Sequence, residues 1–257
     1  MFLAIDVGNT NTVLGLFDGT RLRQHWRLPT NANRTADEYG FLMHELVGDQ
    51  FGPALGGVGV SSVVPAMTAI VDELCRAYLK QTPLFVGPGV KTGMPILYDD
   101  PRQLGTDRIV NAVAAFERTK RATVVVDFGT ATKFEYITDR GEYLGGAIAP
   151  GLGIAGDALF ARAARLYRVE LARPKHVVGR NTVTAIQSGL VYGYAAMVDG
   201  LVRRIQKEHG VQTHVIATGG FAALVVEASE TIDEVDEFLT LDGIRLVYER
   251  NHPAERP

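Results

Sequence analysis

The chain has one cysteine, and one cysteine closes no internal disulfide. Cys75 falls in Ile70-Val71-Asp72-Glu73-Leu74-Cys75, where helical spacing puts it beside apolar neighbours, so it reads as a small buried hydrophobe. There is no excess of positive charge either. Lys and Arg number 26 against 29 Asp and Glu, a formal net charge of −3, which gives no reason to expect the basic stripe of a nucleic-acid surface and leaves any anionic substrate to a local site. No apolar run approaches the length of a membrane span, so no membrane partner is expected. The first residues enter a strand without a basic n-region, an h-region or a cleavage site, and the expected location is the cytoplasm. No segment is of low complexity, and disorder is expected only after Asn251.

What is present is a globular composition, 46% hydrophobic and 21% charged, over 257 residues, enough for a large core and for one or two domains. The chain also carries its own echo, which favours two. Ala4-Ile5-Asp6-Val7-Gly8-Asn9-Thr10-Asn11-Thr12 returns 121 residues later as Val125-Val126-Asp127-Phe128-Gly129-Thr130-Ala131-Thr132. In each copy an apolar run ends in Asp, Gly follows two positions on, then come short hydroxyl and amide side chains and a second apolar run. A strand that ends on a carboxylate, turns at Gly and returns leaves N–H groups and hydroxyls in the turn, a cradle for phosphate. Asp and Gly also suit any tight turn, so one copy alone would be ordinary hairpin chemistry. Two copies fit the duplicated actin-like fold of sugar kinases, heat-shock ATPases and actin, an α/β architecture of ribonuclease H-like halves with a nucleotide cleft between them. The expected domains are 1–117 and 118–257. Asp6 and Asp127 supply hard oxygen donors suited to a hydrated Mg²⁺ beside a triphosphate.

Local signals fill in the halves. Phe2 to Asp6, Val13 to Phe17 and Leu22 to Leu28 read as an antiparallel meander with a hairpin at Asp18-Gly19. Thr35 is placed to cap a helix through Tyr39, Leu42, Met43 and Leu46. Gly56 to Val64 reads as a buried strand, Pro65 as a helix start and Leu84 to Val86 as a strand. Gly87 to Pro101 reads as loop. Gly105-Thr106-Asp107-Arg108 directly precedes the apolar periodicity of Ile109, Val110, Ala112, Val113 and Phe116, so Asp107 falls at or next to a helix N-terminus, and from the residues alone capping stands ahead of a functional role. The second half repeats the meander through Asp139-Arg140-Gly141. Pro150-Gly151-Leu152-Gly153 then opens a helix carrying Leu159, Phe160 and Leu166, and Thr182 is placed to cap a long apolar helix through Ile186 to Leu201. His214 to Ala217 reads as a strand turning at Thr218-Gly219-Gly220.

Taken in order, Asp6 to Thr12, Gly105 to Arg108, Asp127 to Thr132, Gly145 to Gly151, Asn181-Thr182 and Thr218 to Gly220 resemble the type III pantothenate kinases over Phe2 to about Asn251. The resemblance implies ATP-dependent phosphorylation of pantothenate to 4′-phosphopantothenate, the first committed step to coenzyme A, with Asp107 as general base. It implies ATP-binding positions at Asp6, Val7, Gly8, Asn9, Thr10, Asn11, Thr12, Val13 and Thr130, and pantothenate contacts at Tyr98, Gly105, Thr106, Asp107 and Arg108. It also implies a homodimer in which Thr182 completes the partner's pocket, and a monovalent cation, potassium or ammonium, on Asp127. Some relatives are described as transcriptional accessory factors, which keeps a non-catalytic ATP-binding regulator as the alternative. A sugar kinase of the same fold is a third reading, weakened by the few polar side chains between Tyr98 and Arg108.

The chain departs from the family where Lys133 and Glu135 replace the usual Thr and Asp. At a constant spacing of 121, Lys133 is the counterpart of Thr12. Lys133 and Glu135 share one strand face and Thr132 takes the other. Either the two form a compensated pair on a solvated face, or the Lys133 ammonium reaches the phosphate site and supplies the charge that potassium brings in relatives.

Overall fold

The computed structural model describes residues 1–52, 55–163 and 166–253, so the disorder expected after Asn251 falls mostly outside the described residues. Contacts gather the chain into two compact units. The first comprises Met1–Met94, Asp99–Ala114 and the stretch from Leu239; the second comprises Pro95–Tyr98 and Ala115–Phe238. Set against the expected 1–117 and 118–257, the main difference is the last helix.

In the first unit, strands β1 (Phe2–Val7), β2 (Asn11–Asp18) and β3 (Arg21–Pro29) form the expected antiparallel meander. Strands β4 (Gly57–Ser62) and β5 (Leu84–Phe85) extend it in parallel, giving the order β3-β2-β1-β4-β5. Helix α1 (Ala36–Val47) starts at Thr35 through a reciprocal capping box with Glu38, and α2 (Pro65–Leu74) starts at its proline. These two helices bury Tyr39, Met43, Met67, Val71 and Leu74 with Leu3, Ile5, Val7, Val58 and Val60 of the sheet. Alternation along β1 therefore sends Ala4 and Asp6 to the opposite face. On that face β4 carries glycines, and helix α7 (Leu239–Asn251) packs there. A Cβ at Gly59 would lie 2.8 Å from Ile244 Cγ2, so the small residue is what lets the helix approach. Burial of Leu239, Leu241, Ile244 and Val247 contributes about 1.5–3 kcal/mol each.

The second unit repeats the plan. Strands β6 (Thr123–Phe128), β7 (Ala131–Ile137) and β8 (Tyr143–Pro150) form a meander, and β9 (His214–Thr218) and β10 (Glu234–Val235) continue it in parallel. The order β8-β7-β6-β9-β10 has the same connectivity as the first sheet. Val124, Val126, Phe128, Phe134 and Tyr136 form a core with α5 (Thr182–His209) and α6 (Ala222–Val225). Asp127, Lys133 and Glu135 occupy the other face. Two boundaries differ from expectation. Helix α4 (Leu152–Arg162) ends before Leu166, and the cap of α5 is Asn181, whose side chain accepts from Thr184 N; Thr182 is the exposed first helical residue. Helix α3 (Thr106–Thr119) begins where expected, with Asp107 in its first turn.

Candidate functional site

In the first unit the turn between β1 and β2 spans Gly8-Asn9-Thr10 and is closed by Gly8 N donating to Asn11 O at 3.0 Å. Asn9 and Thr10 are exposed, Asp6 is partly exposed, and Thr12 is fully buried. Thr30, at the end of β3, braces the turn. Its hydroxyl donates to Gly8 O at 2.7 Å and meets Thr12 Oγ1 at 2.9 Å, while its N–H donates to Thr10 O at 3.0 Å. Three contacts from one short side chain and its amide fix the loop at the place a phosphate cradle needs rigidity. The sequence reading missed Thr30, whose only signal was a hydroxyl just after the strand-ending Pro29.

Asp6 stands opposite Ser61 in the β1–β4 ladder. Ser61 Oγ lies 3.0 Å from Thr106 Oγ1, and that hydroxyl also accepts from Ser62 N at 3.1 Å. The start of α3 is thereby tied to the carboxyl end of β4, beside the strand that ends in Asp6. Thr106, expected at the substrate, has its hydroxyl engaged in this anchor. Asp107 comes next in the chain; its Oδ1 accepts from Arg108 N at 2.9 Å, and Arg108 itself is buried. The Asp6 hairpin and the Gly105 to Arg108 turn are thus joined within one unit through Ser61 and Thr106.

In the second unit the turn is shorter. Gly129 and Thr130 alone separate β6 from β7, and Gly129 N donates to Ala131 O at 3.2 Å. The register consequently differs from a constant spacing of 121. Phe128 pairs with Thr132 as Val7 pairs with Thr12, and Asp127 pairs with Lys133 as Asp6 pairs with Val13. Lys133 is therefore the counterpart of Val13, not of Thr12. Its Nζ lies 2.8 Å from Asp127 Oδ2, with each side chain only 14% exposed. Glu135 is 1% exposed and accepts from the hydroxyl of the buried Tyr143. The expectation of a solvated strand face is overturned, because both side chains on that face are largely removed from solvent. On the other side of Asp127, Gly219 has φ +91°, and a Cβ there would lie 2.7 Å from Asp127 Oδ1. Only glycine lets the β9 turn come so near the carboxylate.

Tyr98 belongs to a short segment pinned to the start of β8. Tyr143 N donates to Pro95 O at 2.9 Å, and Leu97 N donates to Tyr143 O at 2.8 Å. The Tyr98 ring packs edge-on against Tyr143, with centroids 6.2 Å apart. Glu135, Tyr143 and Tyr98 thus form a continuous contact chain. Thr182 stands elsewhere in this unit, on a groove of about 520 Å³ lined by Leu159, Leu166, Ala185, Ile186, Gly189 and Leu190.

Among the described residues no group of three His, Cys, Asp or Glu is placed to hold a metal ion. Asp6, a carboxylate at the end of a strand beside an exposed turn, suits a hydrated Mg²⁺ that takes few protein ligands. Asp127 does not suit a monovalent cation, since an ammonium already occupies its Oδ2. A second unit charge about 4 Å from that ammonium would meet a repulsion of order 4 kcal/mol at an effective dielectric constant near 20.

Comparison with solved structures bears on the fold. The chain covers 97% of itself and 98% of a conserved putative Baf family transcriptional activator from Campylobacter jejuni at a TM-score of 0.61 and 18% identity. It aligns over 98% of itself and 99% of a ROK hexokinase from Thermus thermophilus at a TM-score of 0.53 and 14% identity. These likenesses show a shared fold, the duplicated two-sheet α/β architecture described above. Sequence comparison is closer. A type III pantothenate kinase of Anaeromyxobacter sp. strain Fw109-5 is 58% identical over 98% of this chain and 100% of its own length, and that of Myxococcus xanthus is 56% identical over 99% and 100%. Residues 2–204 match the family described as type III pantothenate kinase. With a duplicated sheet and hairpin, and more than half of its residues shared end to end with these relatives, the chain belongs to the type III pantothenate kinase family.

Proposed function

We propose that the chain transfers the γ-phosphoryl group of ATP to the primary hydroxyl of pantothenate, with Asp107 as general base. The observation that carries this reading is the anchored carboxylate. Thr106 ties the first turn of α3 to Ser61 and Ser62, so Asp107 follows a residue fixed beside the strand of Asp6. A base in phosphoryl transfer needs position more than a raised pKa, because a loose transition state depends on alignment and charge neutralisation.

The braced turn Gly8 to Thr10, with Asp6, Asn11 and Val13, is the proposed ATP-phosphate contact of the first unit, set in place by the buried Val7 and Thr12, and Thr130 is a proposed ATP-binding residue of the second. Asp6 is the residue that would hold Mg²⁺, which when bound neutralises phosphate charge. Arg108 is the proposed partner of the substrate carboxylate, and Gly105 and Tyr98 are further proposed pantothenate contacts. Thr182 reaches the pocket of a second copy in a homodimer. The regulator alternative is not favoured, since relatives sharing more than half of the residues are named as kinases.

The test is direct detection of phosphopantothenate by mass, with Mg²⁺ and high ATP, for the wild type and Asp107→Asn. The variant is expected to keep its melting temperature and ATP binding while losing about 10²–10⁴-fold in kcat. Near wild-type turnover would return Asp107 to a helix-terminus role.

A further inference from the structure

We propose that Lys133 is a built-in cation of the second phosphate hairpin, holding at Asp127 the place that an exchangeable potassium or ammonium ion would take. The inference rests on the kinase reading above. Lys133 stands directly across the β6–β7 ladder from Asp127, and its Nζ makes a 2.8 Å ion pair with Oδ2. The pair is adjacent to the two-residue turn Gly129-Thr130, so its charge lies at the mouth of the hairpin.

Three features make this a designed arrangement of the second unit and not a generic property of the fold. The equivalent position across the ladder from Asp6 is the apolar Val13, so the lysine at this register position is a feature of the second hairpin and not of the first. The other carboxylate oxygen is approached closely by the backbone at Gly219, which confines Asp127 on the side away from Lys133. The strand that carries Lys133 is held on both edges and by the buried bond from Tyr143 to Glu135, two residues further on the same face. A primary ammonium has the single charge of potassium and donates hydrogen bonds where the ion would accept oxygen ligands. Because it is tethered, it is present at any salt concentration.

The experiment uses the full chain and measures initial rates of phosphopantothenate formation with Mg²⁺ and ATP in tetramethylammonium buffer, with potassium or ammonium chloride then added. The wild type is expected to change by less than twofold. Lys133→Ala is expected to lose at least tenfold and to recover severalfold with ammonium or potassium, but not with tetramethylammonium. Lys133→Arg, which keeps the charge, is expected to stay indifferent to potassium. Melting curves give a readout free of turnover: potassium should raise the melting temperature of Lys133→Ala and leave that of the wild type unchanged. A strict potassium requirement in the wild type, or a Lys133→Ala enzyme as active as the wild type without added cation, would overturn the proposal. If Lys133→Ala does not fold, the salt response of the wild type and Lys133→Arg decides. Absence of product from the wild type in every salt would defeat the kinase reading alone; the melting curves would still decide this one, and a potassium-induced rise in the wild type would sink it.

Discussion

The buried hydroxyls of Thr12 and Thr132 occupy equivalent places in the two meanders, yet removing them should change stability in opposite directions. Both residues are 0% exposed. Thr12 Oγ1 is bonded to Thr30 Oγ1 at 2.9 Å, whereas Thr132 Oγ1 has no hydrogen-bond partner among the described residues. A buried hydroxyl without a partner costs about 1–3 kcal/mol, and a made bond contributes about 0.5–1.5 kcal/mol. Valine keeps the shape and β-branching of threonine in each strand, so the hydroxyl is the main difference. Thr132→Val should therefore stabilise by about 1 kcal/mol and Thr12→Val should destabilise by about 1 kcal/mol. For a chain of this length, a gap of about 2 kcal/mol corresponds to roughly 4–8 °C between the two variants. Scanning calorimetry of the wild type and both variants in one buffer without nucleotide measures it. If Thr132→Val melts below the wild type by as much as Thr12→Val does, the hydroxyl has a partner that the contact geometry does not reveal, and the reasoning fails.

Two further outcomes follow from titratable groups. Burial pushes the Cys75 thiol up to about 12, with the Asp72 carboxylate adding to the shift. At pH 8 only about one thiol in 10⁴ is ionised, so a disulfide reagent should label Cys75 only as the chain unfolds; fast labelling of the native protein would refute this. Burial works to raise the Asp199 carboxyl, but hydrogen bonds from Ser229, Glu230 and Thr231 outweigh it and hold the group below its ordinary value. The stability it contributes is present above the unfolded value near 3.9 and is lost as pH falls through the folded one. Asp199→Asn should then cost about 1–3 kcal/mol at pH 7 and flatten the acid limb of the stability curve below about pH 4, as urea denaturation across pH would show.

The parts of the fold legible in the sequence are those set by local chemistry. Thr35, Pro65, and the turns at Gly19 and Gly141 announced their structures because each acts within a few residues. Helix α7 was not assigned, although Leu241, Ile244 and Tyr248 are spaced for one face, and its place on β1 and β4 depends on partners more than 170 residues away in the chain. The Thr30 brace was hidden for the same reason: a threonine bonded to Gly8 is indistinguishable in sequence from one in solvent. At the candidate site, Asp6 and Asp107 were named from motif order. What joins them, Ser61 and Thr106, is a buried polar contact that no spacing rule reports.

The register of the second hairpin was within reach of a period-two argument. Asn11, Val13 and Gly15 alternate with Thr12, Leu14 and Leu16, and the second set faces the core. In β7 the core set is Thr132, Phe134 and Tyr136, which leaves Ala131, Lys133 and Glu135 on the other face. Aligning core set with core set makes Thr132 the counterpart of Thr12 and Lys133 that of Val13. A one-residue slip would drive Lys133 and Glu135 into the core among Val124 and Val126, at the cost of burying two charges in an apolar layer. The charges themselves therefore required the turn after Asp127 to be one residue shorter than the turn after Asp6. That shortening, in turn, places an ammonium across the ladder from the only carboxylate of β6.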